Sequence, residues 1–109
     1  MQAERLKILT EFYQQEPQDP FNCYALAMEY LRTDAGQALN YLEKLLITHP
    51  DYLPTYYKAA EILAESGDTT RALHIYEKGL ALAKTQTNTK IFLELQRAQR
   101  SLLDDLAED

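Results

Sequence analysis

Residues 53–83 read LPTYYKAAEILAESGDTTRALHIYEKGLALA, and this stretch decides the fold. Tyr56, Ala59, Ala60 and Leu63 recur at spacings of three, one and three, the stripe of one helix. Ala72, Leu73, Tyr76, Gly79 and Leu80 form the stripe of a second, and Ser66-Gly67-Asp68 joins the two. The segment is therefore predicted to be a helical hairpin. Ala59 and Ala60 on one helix and Ala72 and Gly79 on the other are small enough to let the backbones approach, while Tyr56 and Tyr76 fill the volume alongside.

The rest of the chain repeats this pattern. A shift of 33 positions carries Cys23, Leu26, Ala27 and Tyr30 onto Tyr56, Ala59, Ala60 and Leu63. It also carries Leu6, Leu9, Phe12, Tyr13 and Pro17 onto Leu39, Leu42, Leu45, Leu46 and Pro50. Beyond the turn the register becomes 34, since Ala38 answers to Ala72 and Leu42 to Tyr76. The first hairpin's turn is thus one residue shorter and has no counterpart of Gly67, and Gly36 falls inside the following helix.

Element boundaries follow from local chemistry. Asp19-Pro20 is an N-cap acceptor followed by a proline that needs no amide partner, and it opens a helix to about Arg32. Asp34, with Gln37 three residues on, has the form of a capping box, opening a helix whose inner face is Ala38, Leu42, Leu45 and Leu46. Asp51 is expected to cap the next helix, with Pro54 in its first turn. After the polar run 85–89, Thr87 or Asn88 caps a last helix carrying Ile91, Leu95, Ala98, Leu102 and Leu106 on one face.

The order of large, paired small, large, glycine turn, small, aromatic and small residues resembles the tetratricopeptide repeat family, whose unit is about 34 residues. The resemblance covers about residues 5–84. It implies an all-α domain of about six helices, with antiparallel helical hairpins stacked as a short right-handed superhelix. Read this way, residues 1–109 are a single domain: a half-repeat helix over 4–16, repeat one over 19–50, repeat two over 51–84 and a capping helix over 88–107. Terminal helices with a polar outer face are what a short solenoid needs to cover the end of its core.

In that family the first helix of each unit lines a concave face. The residues left to point there are Phe21, Tyr24, Met28 and Arg32 in the first unit, and Tyr57, Lys58, Glu61 and Glu65 in the second. Tyr24 and Met28, like Tyr57 and Glu61, are i,i+4 neighbours and share a direction. Tyrosines and a methionine flanked by charges make a peptide-binding surface; the competing reading has these side chains packed against the terminal helices. Some family members clamp a peptide's C-terminal carboxylate with lysine and asparagine. Tyr24 and Met28 stand where that cluster would begin, and Lys58 alone does not rebuild it.

Composition narrows the function classes. The 109 residues carry 11 basic and 17 acidic side chains, for a net charge of −6. Asp104, Asp105, Glu108 and Asp109 supply four of the acids, and the basic residues are scattered singly, so there is no stripe to displace counterions from a nucleic acid. No segment approaches the roughly 18 consecutive apolar residues of a membrane span. The single cysteine, Cys23, cannot form an internal disulfide, and its place on a packing stripe reads as a small buried hydrophobe. With no signal-peptide pattern either, a soluble, cytoplasmic protein is expected.

Chemistry is sparse. His49 lies in a turn and His74 on the outer side of a helix, both read as surface residues, and neither has a second histidine at metal-ligand spacing. Gly36, Gly67 and Gly79 are too dispersed for a phosphate loop. No cofactor or metal is expected. The leading function is a non-enzymatic module or adaptor that binds a peptide or helix of a partner protein. Homodimerisation through the last helix, with Phe92, Leu93 and Leu103 as extra apolar residues, is the alternative. An enzyme of unfamiliar arrangement ranks last.

Overall fold

The computed structural model describes residues 2–108. Among them six α-helices and no strand occur. They are α1 (Gln2–Gln15), α2 (Pro20–Leu31), α3 (Ala35–Thr48), α4 (Pro54–Glu65), α5 (Thr69–Thr85) and α6 (Thr89–Ala107). The chain divides after Thr55 into two compact units. Asp109, which sequence reading placed in the acidic tail, lies outside the described residues.

In the first unit α2 packs against both α1 and α3. Asp19 caps α2, its carboxylate accepting from the Phe21 amide at 2.9 Å, with Pro20 at the first helical position. The Asn22 side chain donates to the Phe12 and Glu16 carbonyls, which also accept from the Glu16 and Asp19 amides, and so fastens the start of α2 to the end of α1. Cys23, Leu26 and Ala27 of α2 meet Ala38, Leu42 and Leu45 of α3 in the buried core. Each fully buried leucine there stabilises the fold by about 1.5–3 kcal/mol. Tyrosines tie the three helices together: Tyr41 stacks on Tyr30 (centroids 5.6 Å apart) and meets Tyr13 edge-on at 5.9 Å.

Two features of this unit depart from expectation. Phe12, on the predicted apolar stripe of α1, is half exposed, and α1 buries no residue fully. Glu29, by contrast, is buried. Arg5 Nε reaches its carboxylate at 3.1 Å from α1 and Arg32 Nη1 at 3.8 Å. The two guanidinium groups offset the cost of taking that charge out of water.

In the second unit Tyr56, Ala59, Ala60 and Leu63 of α4 are buried, as are Ala72, Tyr76, Gly79 and Ala83 of α5. Small residues do sit at the crossing: a Cβ built on Gly79 would lie 2.8 Å from Tyr56 Cβ and 3.2 Å from Leu95 Cδ1 of α6. The inner face of α5 is rotated slightly from the sequence reading, with Ile75 buried and Leu73 and Leu80 half-buried. On α6 only Leu95 is fully buried, and Leu106 is exposed.

The turns explain the change of register from 33 to 34. After α4, the Asp68 amide donates to Leu63 O and the Gly67 amide to Ala64 O, with Gly67 at φ +90°. This is a Schellman closure on a left-handed residue. After α2, the Asp34 amide reaches back one residue less, to Tyr30 O at 2.7 Å, and no residue of that turn has positive φ. The shorter hairpin therefore needs no glycine. The α5–α6 turn repeats the longer form, with Asn88 N to Ala83 O and Thr87 N to Lys84 O, but its left-handed residue is Thr87 at φ +56°.

Asp34, Asp68 and Asn88 cap α3, α5 and α6 through the amides of Gln37, Arg71 and Ile91. Two expectations about capping are corrected. The Asp34 amide is already bonded to Tyr30 O, and the Gln37 side-chain Oε1 accepts from Asn40 Nδ2, so the reciprocal arm of the capping box does not form. Asp51 lies in the turn before α4, which begins at Pro54 itself, so the residue at the cap position is Leu53. Proline at the first helical position loses no intrahelical bond.

Candidate functional site

In the second unit an open groove of about 500 Å3 runs along α4 and α6. Tyr57, Glu61 and Glu65, one helical turn apart along α4, form one wall together with Ala64. Glu94, Arg97, Ala98, Ser101, Leu102 and Asp105 of α6 form the other, and Tyr76 of α5 reaches the floor. Tyr57 is held by an edge-on contact with Tyr76, centroids 6.5 Å apart. Burial, then the neighbouring Tyr57, Glu61 and Glu65, push the Tyr76 phenol up to about 12, so near neutrality it is a neutral hydroxyl.

Three of the four residues expected on the second unit's face thus line one groove. The fourth, Lys58, does not line it. Its ammonium stands 5.8 Å over the Tyr57 ring and 3.7 Å from the Glu61 carboxylate.

In the first unit the expected face lies along α2. Phe21 is 62% exposed, close to the helix start. Tyr24 and Met28 are half-buried, with Tyr24 edge-on to Tyr52 at 5.8 Å. Arg32, at the C-terminal cap, is exposed and turns its guanidinium toward Glu29. Tyr24 and Tyr57 hold equivalent places in the repeat, but their ring partners do not correspond. The loop residue Tyr52 serves one, and the core residue Tyr76 the other.

The wall contributed by α6 was not read as part of a site. Its signal was present: Glu94, Arg97, Ser101 and Asp105 recur at spacings of three and four beside the apolar stripe of Ala98 and Leu102. Only packing reveals that this polar edge faces α4.

A smaller cleft of about 170 Å3 in the first unit is lined by Tyr13, Cys23, Lys44 and His49, among others. Cys23 is buried, and its thiol lies 3.5 Å from the Tyr41 carbonyl. Burial pushes its pKa up despite the nearby Lys44, the opposite of what a nucleophilic thiol requires. Lys44 donates to the Tyr13 hydroxyl, and that bond holds its ammonium above the usual lysine range. His49 is not the free surface residue expected. It is half-buried, with Nε2 2.9 Å from the Gln18 carbonyl, which ties the start of the α3–α4 turn to the α1–α2 loop. His74 is exposed as expected.

Among the described residues no group of three histidine, cysteine or acidic side chains could hold a metal ion. No helix among them is long and apolar enough to cross a membrane.

The profile of the tetratricopeptide repeat family matches residues 30–90. A search of the curated proteins finds no match. Solved structures do match. The solution structure of a tetratricopeptide repeat domain protein from Salinibacter ruber is 38% identical, with a TM-score of 0.75, over 79% of this chain and 88% of that one. A crystal structure of the same Salinibacter domain protein gives 37% identity and a TM-score of 0.76, over 79% and 97%. A Bordetella parapertussis protein shares the fold at 24% identity, with a TM-score of 0.82 over 95% of this chain and 91% of that one.

Proposed function

This chain belongs to the tetratricopeptide repeat family, and from that membership we propose that it is a non-enzymatic interaction module, an adaptor that binds a peptide or helix of a partner protein. The observation that carries the reading is the column Tyr57, Glu61 and Glu65 facing α6 across an open groove. Tyr57 offers an aromatic face and a hydroxyl, and Ala64, Ala98 and Leu102 leave room for an apolar side chain between the walls. Phe21, Tyr24, Met28 and Arg32 give α2 a second face of the same kind. One or two buried anchors of about 1.5–3 kcal/mol each, less the cost of ordering, fall short of the about 8 kcal/mol of micromolar binding, so the anchors alone give weak affinity in the millimolar range.

In this reading α1 is the second half of a repeat, residues 19–50 and 51–84 are the two whole repeats, and α6 is the cap. The setting is cytoplasmic, consistent with a single cysteine kept as a buried thiol. Immobilised protein carrying Tyr24→Ala and Tyr57→Ala should lose the partner that the unmodified protein retains from a cell extract, with helicity unchanged by circular dichroism. Equal capture by both would remove these faces from consideration.

A second reading is self-association through α6. Leu103 and Leu106, one turn apart, are 45% and 41% exposed, and Leu93 is 42% exposed. Sedimentation equilibrium decides it: a monomer at high concentration excludes the dimer, and a dimer dispersed by Leu103→Lys supports it.

A further inference from the structure

We infer that the groove between α4 and α6 selects a basic segment, a peptide placing lysine or arginine side chains on either side of a small apolar anchor. The inference rests on reading this groove as a peptide site and adds the chemistry of the occupant.

The rim carries Glu61 and Glu65 on α4 and Glu94 and Asp105 on α6. Arg97 is the cation lining the groove, and Lys58 stands beside Glu61 at 3.7 Å. Counting both, four carboxylates less two cations leave a charge of −2 around the groove. Ionised carboxylates only accept hydrogen bonds, so acids on opposite walls cannot satisfy one another. A ligand that brings donors and positive charge between them can.

Lys58 Nζ lies 5.8 Å over the Tyr57 ring from outside the groove, so that ring face is already taken and the preference for a cation rests on the carboxylates of the rim. An acidic peptide would meet four carboxylates, and like charges brought together at an interface are strongly unfavourable. Ala64 on one wall and Ala98 and Leu102 on the other are small or apolar, which suits one alanine- or leucine-sized anchor between them.

The test titrates the full chain, labelled with 15N, with two synthetic amphipathic peptides of equal length and the same alanine and leucine positions. One carries lysine at its polar positions and the other glutamate. The lysine peptide should shift the amides of Glu61, Ala98 and Ser101 and bind at least about tenfold tighter than the glutamate peptide, weakening as salt shortens the range of charge attraction. Glu61→Gln with Glu94→Gln should remove most of that preference, while Glu11→Gln on α1 with Glu16→Gln just beyond its end should not. If either groove variant unfolds by circular dichroism, Asp105→Asn, near the exposed end of α6, replaces it.

Equal binding of both peptides at the groove amides would overturn the charge preference and leave the groove standing as a peptide site. Equal weakening by the Glu11 and Glu16 pair would also overturn it, assigning the attraction to the net charge of the whole chain. No shift at the groove amides with either peptide would overturn the groove itself, and the preference with it.

Discussion

Gly79 of α5 lies so close to Tyr56 of α4 that a methyl group on the glycine would come within 2.8 Å of the tyrosine Cβ. That atom is attached directly to the α4 backbone, so it cannot swing away as the tip of a side chain could. The same methyl would press Leu95 Cδ1 of α6 at 3.2 Å. Three helices therefore converge on a position that tolerates no side chain.

Gly79→Ala is expected to destabilise the protein. Overpacking costs about 1–3 kcal/mol, and the better helix propensity of alanine returns about 1 kcal/mol; the fixed Tyr56 Cβ puts the cost at the upper end, leaving a net loss of up to about 2 kcal/mol. Urea unfolding followed by circular dichroism should show a lower midpoint. A midpoint at or above that of the unmodified protein would refute the close crossing.

Thr87 occupies, at φ +56°, the left-handed place that Gly67 occupies in the equivalent turn. A β-branched residue is strained there. Thr87→Gly should raise stability by about 0.5–1 kcal/mol, less than the full strain because glycine also loosens the unfolded chain. Gly67→Ala should lower stability by about 1 kcal/mol through backbone strain alone, since nothing lies within 4 Å of its added Cβ. Thermal melts of the two variants should move in opposite directions.

Removing Arg5 leaves the buried Glu29 carboxylate with Arg32 at 3.8 Å as its remaining ion-pair partner. Because the Arg5 side chain is about half exposed, the loss on Arg5→Ala is smaller than for a wholly buried pair, about 1–2 kcal/mol. Arg32→Ala, which removes the longer contact, should cost less. A double-mutant cycle with Glu29→Gln would separate the pair from general helix effects, and equal costs for both arginines would contradict the geometry.

Stability should fall at alkaline pH. The Cys23 thiol and the Tyr76 phenol are both raised in the folded state, so the neutral form is favoured there and the unfolded chain releases these protons first. Their contribution is whole below the ordinary pKa of each group and is lost as pH rises toward the folded value. For Tyr76 the window runs from about 10, the unperturbed value, to about 12, and the loss is on the order of 2 kcal/mol. Tyr76→Phe should flatten the decline in that window. An unchanged pH profile in the variant would assign it to other groups.

Much of this architecture was legible because helix ends are local events. A cap couples residues two or three positions apart, so Asp19, Asp34 and Asn88 could be read from their neighbours alone. Asp51 was misread for a reason of the same scale: the proline three residues later starts the helix itself, which moves the cap position to Leu53. The candidate site was legible only by halves. The 33-residue correspondence put Tyr57, Glu61 and Glu65 on one face, because helical periodicity assigns faces. It could not bring Glu94 and Asp105 opposite them, because no local rule states which side of α6 turns toward α4.

The amino-acid sequence alone determined the all-α class, the hairpins, the one-residue difference between their turns and the small residues at the crossing. Each of these depends on backbone propensity, capping and a period of 3.6. Tertiary packing decided the burial of Glu29 between two arginines, the tie from His49 to the Gln18 carbonyl and the second wall of the groove. Those contacts join residues far apart in sequence, and their geometry depends on how whole helices settle against one another.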